Sequence, residues 1–137
     1  MICNCSCLSN GKELFLFGTR LAFGVWLLYL GLSKFIFIGP ENFVGYISNS
    51  FAETWIPSFL ILVTSWVILI GEVVLGAWLI IGKAPTLAWI ATAKLMFILM
   101  FGQTVLQEHA VVFQNWHYFF IALLCASLSA EVNKCEA

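Results

Sequence analysis

The sequence has little charge and no aspartate. Only 9% of its 137 residues are charged, whereas ordinary soluble domains have roughly 25%. The formal net charge is -1, and Lys and Arg form no cluster of the kind that contacts nucleic acid. The composition therefore argues against a soluble domain and predicts no nucleic acid partner.

The sequence also lacks the short motifs of common catalytic and cofactor sites. It contains no G-x-x-x-x-G-K-[ST], H-E-x-x-H, G-x-S-x-G or C-x-x-C pattern, and the last absence argues against a thioredoxin-like redox centre. The two histidines, His109 and His117, would be rotated by about 80° from one another on a helix. A haem between helices usually needs histidines on two facing helices, and the first three spans contain none, so internal haem ligation is not expected. Helix capping or hydrogen bonding is the simpler role, and ligation of a pigment or metal by one histidine stays open.

Long apolar stretches are what the sequence does have. The mean hydropathy is +1.00, and the first stretch alone exceeds the roughly 30 Å hydrocarbon core of a bilayer at about 1.5 Å per residue. Membrane spans are predicted at residues 14–38, 57–81, 85–106 and 111–130. The sequence therefore predicts an all-α transmembrane four-helix bundle that forms a single membrane domain over residues 1–137.

The longest connection, after the first span, has its own periodicity. Phe43, Val44, Ile47 and Phe51 recur at spacings of one, three and four, which predicts one apolar stripe on a helix. We expect a short interfacial amphipathic helix over residues 41–54, with an irregular loop as the alternative.

Lys and Arg in the flanks of the spans predict the orientation of this multi-pass protein. Lys12, Lys83 and Lys134 flank the spans on one side, whereas the two connections on the other side have neither Lys nor Arg. The positive-inside rule therefore predicts that both termini face the cytoplasm or an equivalent compartment.

Charges inside the spans are the candidate site. Each costs about 2.5 to 3.5 kcal/mol on insertion scales, so each needs a partner or a route to the membrane surface. Counting from the predicted span ends puts Arg20, Glu72 and Lys94 at similar depths. We expect Glu72 to pair with Arg20, Lys94 or both in an intramembrane charge cluster that could hold a quinone-like or anionic head group. The alternative is that the basic residues reach the headgroups and that an ion pair only fixes helix packing.

Lys34 lies near the other end of the first span. It would reach the membrane surface or pair with Glu41 or Glu108. Helical phase places Lys34 in the same arc, of about 80°, as Arg20 and two glycines. Small residues beside charges are typical of close helix contacts in lipid.

Cys3, Cys5 and Cys7 form a C-x-C-x-C run before the first span. Their thiolates are a weak candidate for a soft metal, but the run lacks the usual zinc spacing. A flexible tail without a fixed role, or lipidation of a cysteine, are the alternatives.

The motifs inside the spans resemble those of the DoxX-like family of small four-helix membrane proteins. The matching pieces are Arg20-Leu21-x-x-Gly24, Gly31-Leu32-Ser33-Lys34-Phe35, a connection ending at Pro57, and Glu72-Val73-Val74-Leu75-Gly76-Ala77-Trp78-Leu79-Ile80-Ile81-Gly82. The resemblance covers about residues 14–130. It implies a four-helix bundle associated with quinone-linked oxidoreductase complexes such as thiosulfate:quinone oxidoreductase, with Arg20, Lys34 and Glu72 as the corresponding positions.

These observations favour an accessory or structural membrane subunit that is not catalytic on its own. Its partners would be membrane lipids and other subunits of a larger redox or energy-transducing complex, with quinone or lipid as a bound molecule. One alternative is a small quinone-linked oxidoreductase subunit in which Glu72 exchanges protons while Arg20 and Lys94 hold the head group. The other is a small transporter, which would need to be oligomeric because four helices are few for a pore.

Overall fold

The protein is built from long helices, in agreement with the predicted all-α transmembrane bundle. The computed structural model describes residues 5–136 and the side chains of residues 11–132. The helices are α1 (Cys5–Ser33, continued by a π-helical turn over Lys34–Ile38), α2 (Pro40–Ser50), α3 (Ser58–Ile81), α4 (Pro85–Val105) and α5 (His109–Glu136). Within the described residues, four stretches are long and apolar enough to span a membrane: Gly11–Ile38, Ser58–Ile81, Pro85–Val105 and His109–Val132.

The first and last helices are longer than the predicted spans. Helix α1 begins at Cys5 instead of residue 14, and α5 extends over His109–Glu136 instead of residues 111–130. Hydropathy marks where a helix meets lipid, but nothing in the polar flanks ends the helix. Neither flank contains proline, and one glycine in a helix costs only about 1 kcal/mol. The two helices therefore extend beyond the predicted spans, and the span boundaries themselves stay predictions.

The spans pack as two close pairs, α1 with α3 and α4 with α5, and α3 also contacts α4. Helices α3 and α4 are joined by a short turn at Gly82, which has a left-handed conformation at φ 78° and donates its N–H to Trp78 O at 2.9 Å. Glycine adopts that conformation without a Cβ penalty, and Pro85 suits the first turn of α4. Lys12 of α1 and Glu131 of α5 form an ion pair at 3.0 Å, so α1 begins and α5 ends at the same end of the bundle.

Helix α2 is the predicted amphipathic segment, and it covers Pro40–Ser50 instead of residues 41–54. Phe43 and Val44 are buried and belong to the same core cluster as side chains of the spans. Tyr46, on the other face, is 69% exposed. The apolar stripe therefore packs on the bundle, chiefly on α3, and this contact positions Phe43 beside the site described below.

The centre of the bundle is filled by large side chains from each span. Leu27, Leu69, Trp89, Met96 and Cys125 are almost completely buried. The outer faces expose many large apolar side chains, as a lipid-facing surface does. Charged side chains within the spans are therefore conspicuous wherever they lie, inside or outside.

Candidate functional site

Glycines bring α1 and α3 into close contact. A Cβ at Gly76 would lie 2.6 Å from Leu28 N and 2.9 Å from Gly24 O, and a Cβ at Gly31 would lie 2.9 Å from Val73 N. These positions are occupied by backbone atoms that cannot move aside as a flexible side chain can. The two backbones therefore approach as closely as small-residue contacts in membranes allow. We call this contact the α1–α3 seam.

An ion pair lies at the seam, between Lys34 and Glu72. Lys34 Nζ donates to both Glu72 carboxylate oxygens at 2.6 Å each. The Glu72 side chain is 3% exposed and the Lys34 side chain 19%. Both carboxylate oxygens are therefore occupied by the same ammonium group, and the pair carries no net charge.

The antiparallel direction of the two helices explains why these two residues meet. Side chains on a helix lean toward its N-terminus. Lys34 therefore leans back toward the level of Gly31, whose neighbours across the seam are Val73 and Glu72. Glu72 leans in the opposite direction, toward Lys34. The register that the glycines impose thus determines the pairing.

Phe43 of α2 completes the surroundings of the ammonium group. Lys34 Nζ lies 5.0 Å from the centre of the Phe43 ring, within the distance of a cation–π interaction. Lys34 also begins the π-helical turn, in which its carbonyl accepts from Gly39 N–H at 2.9 Å. Such wide turns are frequent at functional sites. Residues of α1, α2 and α3 together thus hold Lys34 and Glu72.

Arg20 lies away from this pair, although the sequence placed it at a depth similar to that of Glu72. Its Nη1 donates to Gly82 O at 3.5 Å, so it is level with the end of α3. Lys34 is 14 residues further along the same helix, or roughly 21 Å. Counting depth from the predicted span ends failed because α1 extends beyond the end of α3, so that Arg20 is only level with Gly82. The predicted pairing of Glu72 with Arg20 is replaced by pairing with Lys34.

The surroundings of Arg20 are partly polar. The guanidinium lies over the Phe17 ring at 5.5 Å, and its Nε is buried without a hydrogen-bond partner among the described residues. A small cavity of about 130 Å³ adjoins it, and Glu13 and Ser129 are among the lining residues. Arg20 therefore has hydrogen-bonding capacity left at the end of the bundle where α1 begins.

Lys94 is also separate from Glu72, because it lies on the outer surface of α4. Trp89, Ala93 and Met96 form the buried face of this helix, and Lys94 is exposed. No described side chain forms an ion pair with it. The structure thus brings together Lys34 and Glu72 of the four predicted residues, and leaves Arg20 and Lys94 apart from them and from each other.

The other candidate residues carry less information. Cys3 lies outside the described residues, as do the side chains of Cys5 and Cys7, so their weak metal site stays a prediction. Among the described side chains, no group of three or more His, Cys, Asp or Glu could hold a metal. His117 Nδ1 lies 2.8 Å from the carbonyl oxygen of Phe113 one turn earlier, as expected for the simpler role.

The sequence could have indicated the Lys34–Glu72 pair. Gly31 and Lys34 share one face of α1, and Glu72 and Gly76 share one face of α3. Helical phase alone therefore places Lys34 and Glu72 on the two glycine-containing faces that form the seam. Depth, counted from uncertain span ends, gave the wrong partner. The contribution of Phe43 had no sequence signal, because it depends on how α2 folds back onto α3.

One family model matches most of the chain. It is the model described as methylamine utilisation protein MauE, and it matches residues 12–111. No curated protein and no solved structure matches the chain. The matched range contains both residues of the ion pair as well as Arg20 and Lys94. The match is to this family and not to the DoxX-like family, and it supports a small integral membrane protein.

Proposed function

The chain belongs to the family of the methylamine utilisation protein MauE, and on this premise we propose that it is an accessory membrane protein of a redox pathway that uses methylamine. Its part is to hold or assist another protein of that pathway within the membrane. It does not carry out electron transfer on its own.

The observation that supports an accessory role is the closed state of the Lys34–Glu72 pair. Glu72 is buried, and both of its oxygens accept hydrogen bonds from Lys34. Breaking a buried ion pair by removing one partner typically costs 3 to 5 kcal/mol. A group held in this way stabilises the contact between two helices and is poorly suited to exchange protons in turnover.

A quinone-linked oxidoreductase has less support. That function would use Glu72 with Arg20 and Lys94 around one head group, and these three residues lie at separate places. A quinone approaching Glu72 would have to compete with Lys34 for the carboxylate. Lipid contact is the simpler expectation, because large apolar side chains are exposed along the spans.

The proposed orientation has both termini on the cytoplasmic side. Lys12 lies at the end of the bundle where α1 begins and α5 ends. Arg20 reaches Gly82, so the turn that contains Lys83 lies at this end too. The positive-inside rule then places this end in the cytoplasm. The test introduces Lys83→Cys or Glu53→Cys, one at a time, into a chain whose native cysteines are replaced. In intact cells, a membrane-impermeant thiol reagent should label Glu53→Cys and leave Lys83→Cys unlabelled.

A gene deletion in the source organism tests the function. We expect the deletion strain to lose growth on methylamine as nitrogen source and to keep growth on ammonium. Membranes and extracts of that strain should have less methylamine-oxidising enzyme, and the purified protein alone should not reduce an electron acceptor with methylamine. Normal growth on methylamine would contradict the proposal.

The same strain separates an accessory role from transport. Uptake of labelled methylamine is measured over the first seconds, before metabolism contributes. If the protein is a transporter, the deletion strain should lose methylamine uptake and keep normal methylamine-oxidising activity in broken cells. The accessory role predicts normal initial uptake with reduced enzyme.

A further inference from the structure

Lys94 lies on the surface of the bundle, about halfway along a membrane span. It is nine residues after Pro85 and eleven before Val105, which are the ends of α4. At 1.5 Å per residue these separations are roughly 14 Å and 16 Å. Its side chain is exposed. The charge therefore lies near the middle of the hydrocarbon core, on the side that faces away from the protein interior.

The described residues around Lys94 include no acidic side chain that neutralises its charge. The side chain lies in a surface groove of about 480 Å³ between α4 and α5, which also has apolar and aromatic lining. The groove-forming neighbours are Ile90, Phe97, Ile98, Phe119 and Leu123. Neither ion pair among the described side chains includes Lys94. We call this the Lys94 groove.

The Lys94 ammonium group cannot escape the hydrocarbon core by reaching the lipid headgroups. A lysine can extend its charge toward the membrane surface, but its four-carbon stem is much shorter than the roughly 14 Å to the nearer end of α4. Ionisable residues at such depths almost always face a protein interior or pair with an opposite charge. The Lys94 groove is therefore incomplete in the single chain.

We propose that the Lys94 groove binds a transmembrane helix of a second, different membrane protein, and that this helix presents an Asp or Glu carboxylate to Lys94. The inference deepens the proposed function by stating the chemistry of the partner, and it rests on that function for the existence of a partner.

A second copy of this chain does not fit the groove. The seven acidic residues of the sequence are all glutamates. Glu72 is buried and paired, and the others lie in connections or near the ends of the spans. They are Glu13, Glu41, Glu53, Glu108, Glu131 and Glu136. None of them can lie opposite Lys94 in the middle of the membrane, so the carboxylate has to come from another protein.

A second groove of similar size has no charged residue in its lining. The groove on α3 has a volume of about 580 Å³ and a lining that includes Val63, Trp66, Val67 and Val74, with no charged residue. Lipid chains can fill such a surface without any unpaired charge. It is a matched control for the Lys94 groove.

Carbodiimide cross-linking of the full-length protein in native membranes tests the inference. A membrane-permeant carbodiimide activates a carboxylate. The amine of an adjacent lysine then attacks the acyl carbon, which forms an amide and releases the substituted urea. The exposed Lys12–Glu131 pair should give an amide within the chain and so serves as an internal control. We expect a second amide, between Lys94 and an Asp or Glu inside an apolar stretch of about 20 residues in a different protein.

Variants test whether the charge carries the contact. Lys94→Arg keeps the charge but removes the amine, so it should abolish the second amide and leave co-purification of the partner intact. Lys94→Glu should reduce co-purification about 30-fold or more, as for a disrupted buried charge pair. Exchanging the cross-linked carboxylate of the partner for Lys should restore it. Val67→Met in the control groove should have no effect.

The contrary outcomes are equally specific. Formation of the Lys12–Glu131 amide without any Lys94 adduct would overturn the inference, and so would an amide between Lys94 and a glutamate of a second copy. If the protein cross-linked to Lys94 had no role in methylamine use, the result would support the inference and contradict the proposed function. A growth defect on methylamine without a Lys94 adduct would do the reverse.

Discussion

Two lysines within the spans have opposite surroundings. Lys34 lies at the α1–α3 seam, where it donates to Glu72 and contacts the Phe43 ring. Lys94 lies on the outer surface of α4 with apolar neighbours. The same side chain thus satisfies its charge within the fold in one case and leaves it exposed in the other. The comparison indicates that Lys34 stabilises the bundle and that Lys94 serves an interaction outside it.

The helix pairs around the two lysines differ in the same way. The α1–α3 seam depends on glycines that allow backbone contact. The α4–α5 pair buries Ala93, Ala122 and Ala126 with Cys125 instead, and its charge lies outside. Substitutions at the seam should therefore affect folding, whereas substitutions in the Lys94 groove should affect association.

The largest effect is expected from removing the ammonium group at the seam. Lys34→Met leaves the buried Glu72 carboxylate without its partner, and we expect a loss of about 3 to 5 kcal/mol in the free energy of unfolding. Unfolding in mixed detergent micelles with increasing denaturing detergent measures the loss. The double variant Lys34→Met/Glu72→Met should recover most of it, because no unpaired charge then remains.

If the double variant were as unstable as Lys34→Met, the pair would not be the unit that stabilises the seam.

Glu72→Gln tests whether Glu72 exchanges protons during turnover. Loss of methylamine-dependent growth with normal protein abundance and unfolding would indicate proton exchange at Glu72, contrary to the accessory role.

The next effect is expected from Gly76→Ala. The added Cβ would lie 2.6 Å from a backbone nitrogen of α1, so the helices must separate, at a cost of about 1 to 3 kcal/mol. Gly18→Ala is the control, because a Cβ at Gly18 in α1 meets nothing within 4 Å. It should stabilise the helix by up to about 1 kcal/mol. Equal behaviour of the two variants would show that the seam is looser than the contacts indicate.

The sequence predicted the fold well because a lipid-facing helix needs about 20 apolar residues, and that requirement is visible in composition. It also marked both lysines, because a charge in an apolar stretch is conspicuous. It could not assign their partners. Partner choice depends on register, and the register follows from the contact of Gly31 and Gly76 with backbone atoms. Whether Lys94 faces in or out depends on the rotation of α4, since apolar residues lie on all sides of that helix.

A smaller effect is expected from the aromatic ring beside Lys34. Phe43→Leu keeps an apolar side chain but removes the cation–π interaction, which is worth about 0.5 to 2 kcal/mol. The free energy of unfolding should fall in the wild-type background. It should fall less in the double variant without the ion pair, where no ammonium faces the ring. An equal loss in both backgrounds would mean that Phe43 contributes packing alone.

The smallest effect on stability is expected at Lys94. Lys94→Met in the purified chain changes an exposed side chain that has no described partner, so the free energy of unfolding should change by no more than about 0.5 kcal/mol. The measurement is the same micelle unfolding as for Lys34→Met, in which the same chemical substitution should cost several kcal/mol. In native membranes Lys94→Met should have a large effect of another kind, because it should release the partner from a chain that remains folded. A large loss of stability in the purified chain would place Lys94 in the fold and not at an interface.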